Sequence, residues 1–509
     1  MKDKVTITQK DSFEVICKAV NKTVDLIKPT YGPASNKVII SKVTHALVVD
    51  DGVQIARDLE LPDPSENAVM KVVRETAIKT NDRVGDGTTG ALIILQAIMK
   101  EVANMNSRNG RAIEKELKKG FEEAKAKLLE SAKPVITKEE LLDVARASFD
   151  DGEIAELIAE AWHTLGKDGV LTLDHSDTMN TTIDMKEGIS INRGYISPYM
   201  VSNPERMEAQ IEKPYILFTD YRLTEANDVI GIMEKLMKEK ITSLVIIADN
   251  VEQSALATLI VNKMQGKFNT VAINAPAGEN KINLLEDMAI QCGGKVFSES
   301  KGNKLEDVEV ADLGRADRFI AKRSESTIVG PKGKLDEIAK AIDDLKKAKE
   351  LETNENIKKT IEARIAKFSN KVGIIKVGAA TENEAKALKY KVEDAVNATR
   401  AAFKSGIVAG GGIALRNLET SSQLLNDALK VPFIQLMRNM GMKHNQPIEE
   451  GEALNVVTEK IGPWQEVGVV DPVDVIIAQI EGAVSIAALL VTTSGLLVEN
   501  PEYLKQENQ

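Results

Sequence analysis

Apolar residues at three- and four-residue spacing open the chain. Phe13, Ile16, Val20, Val24 and Ile27 share one helical face. Pro29 ends that helix ahead of a Tyr31-Gly32-Pro33 turn. Val38-Ile39-Ile40 and Ala46 to Val49 predict two short strands. Helical spacing then recurs in Val69, Val72, Val73, Thr76 and Ala77, from Thr88 through Leu92, Leu95, Ile98 and Met99, and in Ile113, Leu117, Phe121, Ala124 and Leu128. The first part of the chain is expected to be mainly helical.

The middle has another period. Leu244-Val245-Ile246-Ile247-Ala248 is a continuous apolar run, suited to a strand buried on both faces. Thr270 to Ile273 and Lys295-Val296-Phe297 predict two more strands, and Leu256 to Val261 and Leu284 to Ile290 the helices between them. Such alternation predicts parallel strands with crossover helices. Leu335 to Phe368 is helical and rich in Lys and Glu, as in an exposed hairpin, and long helices return after Gly373. The uncharged stretch Gly482 to Val498 is about one turn short of a bilayer span and reads as a buried core helix. The fold class expected is mainly α with an inserted α/β domain, the outer domain being built from both ends of the chain.

Composition removes several function classes. A length of 509 residues predicts about three domains. A net charge of −11 argues against tracking nucleic-acid phosphates, and 4% aromatic residues leave few platforms for stacking bases. Cys17 and Cys292 stand far apart, which fits a reducing, cytoplasmic setting. The first residues carry no apolar signal core, and no membrane partner is expected. His45, His163, His175 and His444 lack metal-ligand spacing, and neither G-x-x-x-x-G-K-[ST] nor G-x-S-x-G occurs.

Gly85-Asp86-Gly87-Thr88-Thr89-Gly90 matches G-x-G-x-x-G, but a helix, not a strand, is expected before it, so the dinucleotide reading fails. What remains is a glycine loop entering a helix, where free N–H groups and the helix dipole favour phosphate. Asp86 would repel bare phosphate, and a divalent cation between them resolves the conflict. A plain helix cap by Asp86 or Thr88 is the alternative. Ala409-Gly410-Gly411-Gly412 and Thr30-Tyr31-Gly32-Pro33 are two further loops open to close backbone approach. Asp50, Asp51, Asp394 and Asp471 are the remaining acidic candidates.

Taken together, these stretches resemble the bacterial-type (group I, GroEL-like) chaperonins. Further matching stretches are Asp51-Gly52-Val53, Arg193 to Tyr199, Leu256 to Leu259, Lys376 to Glu382, Val392 to Ala402 and Val408 to Gly412, in family order over nearly the whole chain. The resemblance implies an equatorial ATP-binding domain (1–132 and 406–509), an intermediate hinge domain (133–187 and 373–405) and an apical domain (188–372). It implies a homo-oligomeric ring, usually of seven subunits, that encloses non-native polypeptides, with a lid co-chaperonin among its partners. ATP and Mg²⁺ are the implied cofactors. Asp86 would hold the metal, and Gly87, Thr88 and Thr89 the phosphates. Thr30, Tyr31, Gly32 and Pro33 would line the nucleotide. Gly410 and Gly411 would lie at the ribose with Asp471, and Asn455 and Val457 near the base. Asp394 would position the attacking water, assisted by Asp51. Tyr195, Tyr199, Met200, Ile230, Met233, Leu256, Ile260 and Val261 would form the apolar surface that takes up polypeptide.

Departures from the family are specific. Asp50 stands where Lys is usual, adding negative charge beside the phosphates and altering any K⁺ site there. Asn370-Lys371 replaces a glycine pair, and Tyr503 to Gln509 has no Gly-Gly-Met repeat. A ring that holds polypeptide with little ATP turnover is the alternative function; retention of Asp86 and Asp394 argues against it.

Overall fold

The computed structural model describes residues 4–33, 36–41, 46–49, 51–105, 109–149, 152–167, 169–176, 178–204, 206–278, 280–368, 371–442 and 448–499. Asp50, Asn370, His45, His444 and the 501–509 tail, on which expectations fell, lie outside the described residues. The chain forms two compact units. One holds 1–167, 175–181 and 377–509; the other holds 168–174 and 182–376. The segments expected as a hinge are divided between them.

The first unit begins with β1 (Lys4–Thr8), α1 (Gln9–Ile27), the hairpin β2 (Val38–Ser41) and β3 (Ala46–Val49), and α2 (Gly52–Asp58). Next come α3 (Pro64–Val84), α4 (Thr88–Asn104), α5 (Gly110–Ser131), α6 (Lys138–Ser148) and α7 (Gly152–Leu165). Asp63 starts α3 by accepting the Ser65 and Glu66 N–H groups at 2.9 and 3.0 Å, with Pro64 in the first turn. Gly85 stops it in the left-handed region, at φ 72°.

The second unit is a mixed sheet with helices. Its strands are β4 (Val170–His175), β5 (Thr182–Ile191), β6 (Ala209–Glu212), β7 (Tyr215–Thr219), β8 (Arg222–Leu223), β9 (Ser243–Ala248), β10 (Asn250–Val251), β11 (Asn269–Asn274), β12 (Val296–Phe297), β13 (Gly314–Ala321), β14 (Ser326–Pro331) and β15 (Lys371–Val377). Its helices are α8 (Asn227–Lys238), α9 (Gln253–Met264), α10 (Lys281–Cys292), α11 (Leu335–Leu351) and α12 (Glu355–Phe368). The strand order is β11-β9-β7-β13-β14-β5-β15-β4, with β12 beside β7 and β6 beside β13. β7, β9, β11 and β12 pair in parallel, as the apolar runs predict. The antiparallel half was not foreseen, and β15 is a strand where helix was expected after Gly373. Val372, Ile374 and Ile375 are buried there, because pairing with β5 outweighs local helical preference. α11 and α12 form the charged hairpin. Arg364 anchors it through two 2.8 Å bonds to the buried Asp287 on α10.

The chain then completes the first unit with α13 (Glu382–Ser405), β16 (Ile407–Ala409), α14 (Ile413–Arg416), α15 (Gln423–Leu429), α16 (Val431–Asn439), the hairpin β17 (Glu452–Asn455) and β18 (Lys460–Pro463), β19 (Val470–Pro472), α17 (Val473–Thr492) and β20 (Gly495–Glu499). α17 is apolar nearly all round because it is the core helix: Val475, Ile476, Ile480, Val484 and Ile486 are buried against α3, α4 and α5. Each such side chain contributes about 1.5–3 kcal/mol. Gly482 allows the close approach to α3, since a Cβ there would lie 2.8 Å from Thr80 Oγ1. The expected single helix over Gly482 to Val498 is corrected: it stops at Thr492, and Gly495–Glu499 pairs antiparallel with Lys4–Thr8.

Candidate functional site

The Gly85–Gly90 loop joins α3 to α4 in the first unit. Gly85 and Gly87 both take positive φ, 72° and 80°, which glycine tolerates. No side chain caps α4. Its first helical bond runs from Ala91 N–H to Gly87 O, so the N–H groups of the turn before project from the helix end. The cap alternative therefore fails in its simple form: Asp86 accepts only its neighbour's Gly87 N–H.

Three other segments converge on this helix start. Asp51 caps α2, accepting Val53 N–H at 2.9 Å. A Cβ on the next residue, Gly52, would lie 2.2 Å from Thr89 Oγ1 and 3.2 Å from Thr88 Oγ1, so both hydroxyls face the α2 start. Asp471 lies on β19, paired with Val408 of β16, and accepts the Gly411 and Gly412 N–H groups that follow β16. Burial pushes its carboxyl up to about 7, and the Asp86 charge adds to the rise. Burial also raises Asp86. The Tyr31 phenol rises through burial and the charges of Asp471 and Asp86 together. Tyr31, Asp86 and Asp471 thus share one electrostatic neighbourhood.

The Thr30–Pro33 turn is held from behind. Asn439 Nδ2 donates to Lys28 O and Tyr31 O, at 2.9 and 2.8 Å. Leu436 fills the space beside Gly32 and Gly411 alike, which brings the two glycine turns together. Thr30 Oγ1 donates to Ile27 O at 2.8 Å, so its hydroxyl closes the helix end. Asn439 and Leu436 escape sequence reasoning because they lie some 400 residues from the turn they support.

Asp394 is half-buried on α13, three residues before Asn397, whose side chain touches Gly85. Positions i and i+3 share a helix face, so that face of α13 borders the Gly85–Gly90 loop. Burial pushes Asp51 up to about 6, and the Glu393 charge adds to it against the opposing Arg57. Glu393 is thus an acidic neighbour of the site that the motif did not single out. Asn455 is engaged in its own hairpin: Nδ2 donates to Val467 O, and Oδ1 accepts from Val457 and Thr458 N–H. Val457 is exposed at that turn.

The second unit carries the apolar surface, with three corrections. Met233 lies on the inward stripe of α8 with Val229, Ile232 and Leu236, and is core. Met200 is fully buried, its sulfur against Ala272 N–H. Tyr195 is buried because its backbone bridges to Ile273 of β11. Each side chain serves the sheet, which a helical or turn pattern alone does not reveal. Tyr199 (66% exposed) and Val261 (49%) remain on the surface, and Ile230, Leu256 and Ile260 are half-buried. Sequence reasoning missed Met237 and Met264, 53% and 70% exposed on the neighbouring helices α8 and α9.

A family model described as the TCP-1/cpn60 chaperonin family matches residues 24–501. The chain belongs to the TCP-1/cpn60 chaperonin family. Solved chaperonins share its fold. The chaperonin gp146 from bacteriophage EL 2 (Pseudomonas aeruginosa), in the presence of ATP-BeFx, matches in crystal form II with a TM-score of 0.70 at 20% identity, over 97% of this chain and 99% of that one. Crystal form I matches with a TM-score of 0.62 at the same identity and coverage. The fold of this chaperonin, mainly α with an inserted α/β unit, is the one its sequence predicts.

The chaperonin's donor set suits a magnesium nucleotide. Two carboxylates raised by burial, Asp471 further by the charge of Asp86, call for a cation, and the uncapped N–H groups call for an anion. No cluster of three or more His, Cys, Asp or Glu occurs among the described residues. Mg²⁺ needs none, since one or two carboxylates plus phosphate oxygens and water complete its shell.

Proposed function

We propose that this chaperonin binds Mg-ATP at the start of α4 and hydrolyses it to drive encapsulation of non-native polypeptides. The observation that carries the reading is the convergence of Asp86, Asp471 and Tyr31 on an uncapped helix start bordered by Asp51 and the Asp394 face of α13. The ATP-BeFx present with the phage chaperonin supports it.

In this reading the backbone N–H groups of Thr88 and Thr89 bind phosphate oxygens. Asp86 holds Mg²⁺, which neutralises phosphate charge when bound. The Asp471 carboxylate, oriented by Gly411 and Gly412, meets the ribose hydroxyls. Asp394 orients the attacking water and receives its proton, with Asp51 beside it. Tyr199, Val261, Met237 and Met264 offer adaptable apolar contacts to unfolded chains. Subunits assemble as a homo-oligomeric ring, seven by family resemblance, that a lid protein closes.

Two variants test the chemistry. Asp86→Ala should abolish Mg-dependent ATP binding in a titration, with folding retained. Asp394→Ala should keep affinity near the parent and slow single-turnover hydrolysis by about 10²–10⁴-fold. Parental binding in the first variant, or parental turnover in the second, rejects the respective role. A parent that binds ATP without hydrolysing it leaves a polypeptide-holding ring.

A further inference from the structure

The phosphate loop is gripped from two sides by amide side chains. On one side, Asn397 of α13 occupies the space that Gly85 leaves: a Cβ there would meet Nδ2 at 2.2 Å and Cγ at 2.5 Å. Its Nδ2 donates to Gly85 O across a long 3.4 Å. On the other side, Gln479 of α17 fills the space beside Gly87 and Gly90, with Nε2 and Cδ at 2.7 and 2.8 Å from their would-be Cβ atoms. Gln479 is 95% buried in the core helix, a fixed wall. Asn397 is half-buried and makes one long bond.

We propose that Asn397 is a positioning residue that sets where Asp394 stands relative to the phosphate loop, an inference that rests on the ATPase reading above. The Gly85 carbonyl belongs to the same peptide plane as the Asp86 N–H, so a donor on that oxygen orients the backbone entering Asp86. Asp394 and Asn397 are joined by one rigid stretch of helix, with Val392, Ala395, Val396 and Ala398 buried around them. The two side chains are about 4.5 Å apart along the axis. Fixing one therefore fixes the other. Asn397 touches no reacting group and acts through α13 and the loop. Gly85 is then glycine for two reasons: its positive φ, and the seat it leaves for this amide.

The test separates affinity from turnover in the full-length protein. Asn397→Ala removes the amide at no cost in helix propensity. Asn397→Asp keeps the volume but turns an acceptor against the Gly85 carbonyl. Both should hold the Kd for Mg-ATP within about threefold of the parent and slow single-turnover hydrolysis by roughly 10–100-fold, a part of the 10²–10⁴ that a water-orienting group supplies. Gly85→Ala, which evicts the amide from the opposite side, should slow hydrolysis as well. Hydrolysis at the parental rate in Asn397→Ala overturns the proposal, and so does a loss of affinity equal to the loss of rate, which marks a mere packing residue. If Asn397→Ala fails to fold, Asn397→Asp decides by the same two measurements. Asp86→Ala run alongside keeps the two readings apart: if it still binds Mg-ATP, the ATPase reading falls; if it does not, while Asn397→Ala turns over normally, only the positioning role falls.

Discussion

Gly90→Ala should bring no net stability in the parent and should stabilise once Gln479 is shortened. Gly90 sits in the first turn of α4 with ordinary helical φ, so alanine there gains up to about 1 kcal/mol of helix propensity. In the parent the new Cβ would meet Gln479 Cδ, Nε2 and Oε1 at 2.8, 2.9 and 2.9 Å, and nothing else as near. The amide end of a glutamine is ordinarily mobile, but this one is enclosed by Val475 and the loop at 5% exposure. Overpacking of this kind costs about 1–3 kcal/mol. Gly90→Ala should therefore be neutral to about 2 kcal/mol destabilising in the parent, and about 1 kcal/mol stabilising on top of Gln479→Ala. The coupling energy of the double-mutant cycle is then about 1–3 kcal/mol. Both tryptophans, Trp162 and Trp464, lie in the first unit, so urea unfolding followed by tryptophan fluorescence reads this unit alone. Additivity within about 0.5 kcal/mol would show that the two side chains do not meet.

Asp51 and Asp471, raised by burial to about 6 and about 7, make the nucleotide-free fold hold protons that the unfolded chain has released above about pH 4. Their stabilising effect is complete below that pH and fades as pH rises through 6 and 7; Asp471→Asn should flatten the decline of urea stability with pH, and an unchanged slope counts against the assignment. On the second unit, Met237→Asp and Met264→Asp should weaken capture of an unfolded test protein while ATPase activity stays parental. Met233→Asp, one turn from Met237 but inward, should cost roughly 2–5 kcal/mol in lost packing before the buried charge is added. A normally folded Met233→Asp by hydrogen exchange would restore it to the surface.

Strong periodicity was legible from the residues alone. The run Leu244 to Ala248 and the stripes of α1, α4 and α5 need no partner to announce themselves, and each became the element expected. β5, β13 and β14 carry mixed polar and apolar positions and are strands only because they pair with one another. The α8 stripe shows where the limit lies. Its helical period is visible, but Ile230 and Met233 flank the boundary between faces, and only the sheet decides which turns inward. At the candidate site, Asp51, Asp86, Asp394 and Asp471 stood out singly as acidic residues and became a set only through the family resemblance. The residues that hold the set together were not. Asn397 and Gly85 meet across 312 positions of chain, and no local pattern encodes such a contact.

Among the described residues α17 is the last long helix made, and it is the one on which α3, α4 and α5 close. Roughly 340 residues separate the end of α5 from its start. At a synthesis rate of about 5–20 residues per second, that interval lasts tens of seconds. Throughout it Leu92, Leu95, Ile98, Leu117 and Phe121 have emerged without the surface that will cover them. The α/β unit, nearly continuous from 182 to 376, suffers no such delay. During its own synthesis, then, this chaperonin subunit presents for a long time the kind of apolar, half-finished surface that an unfolded client presents.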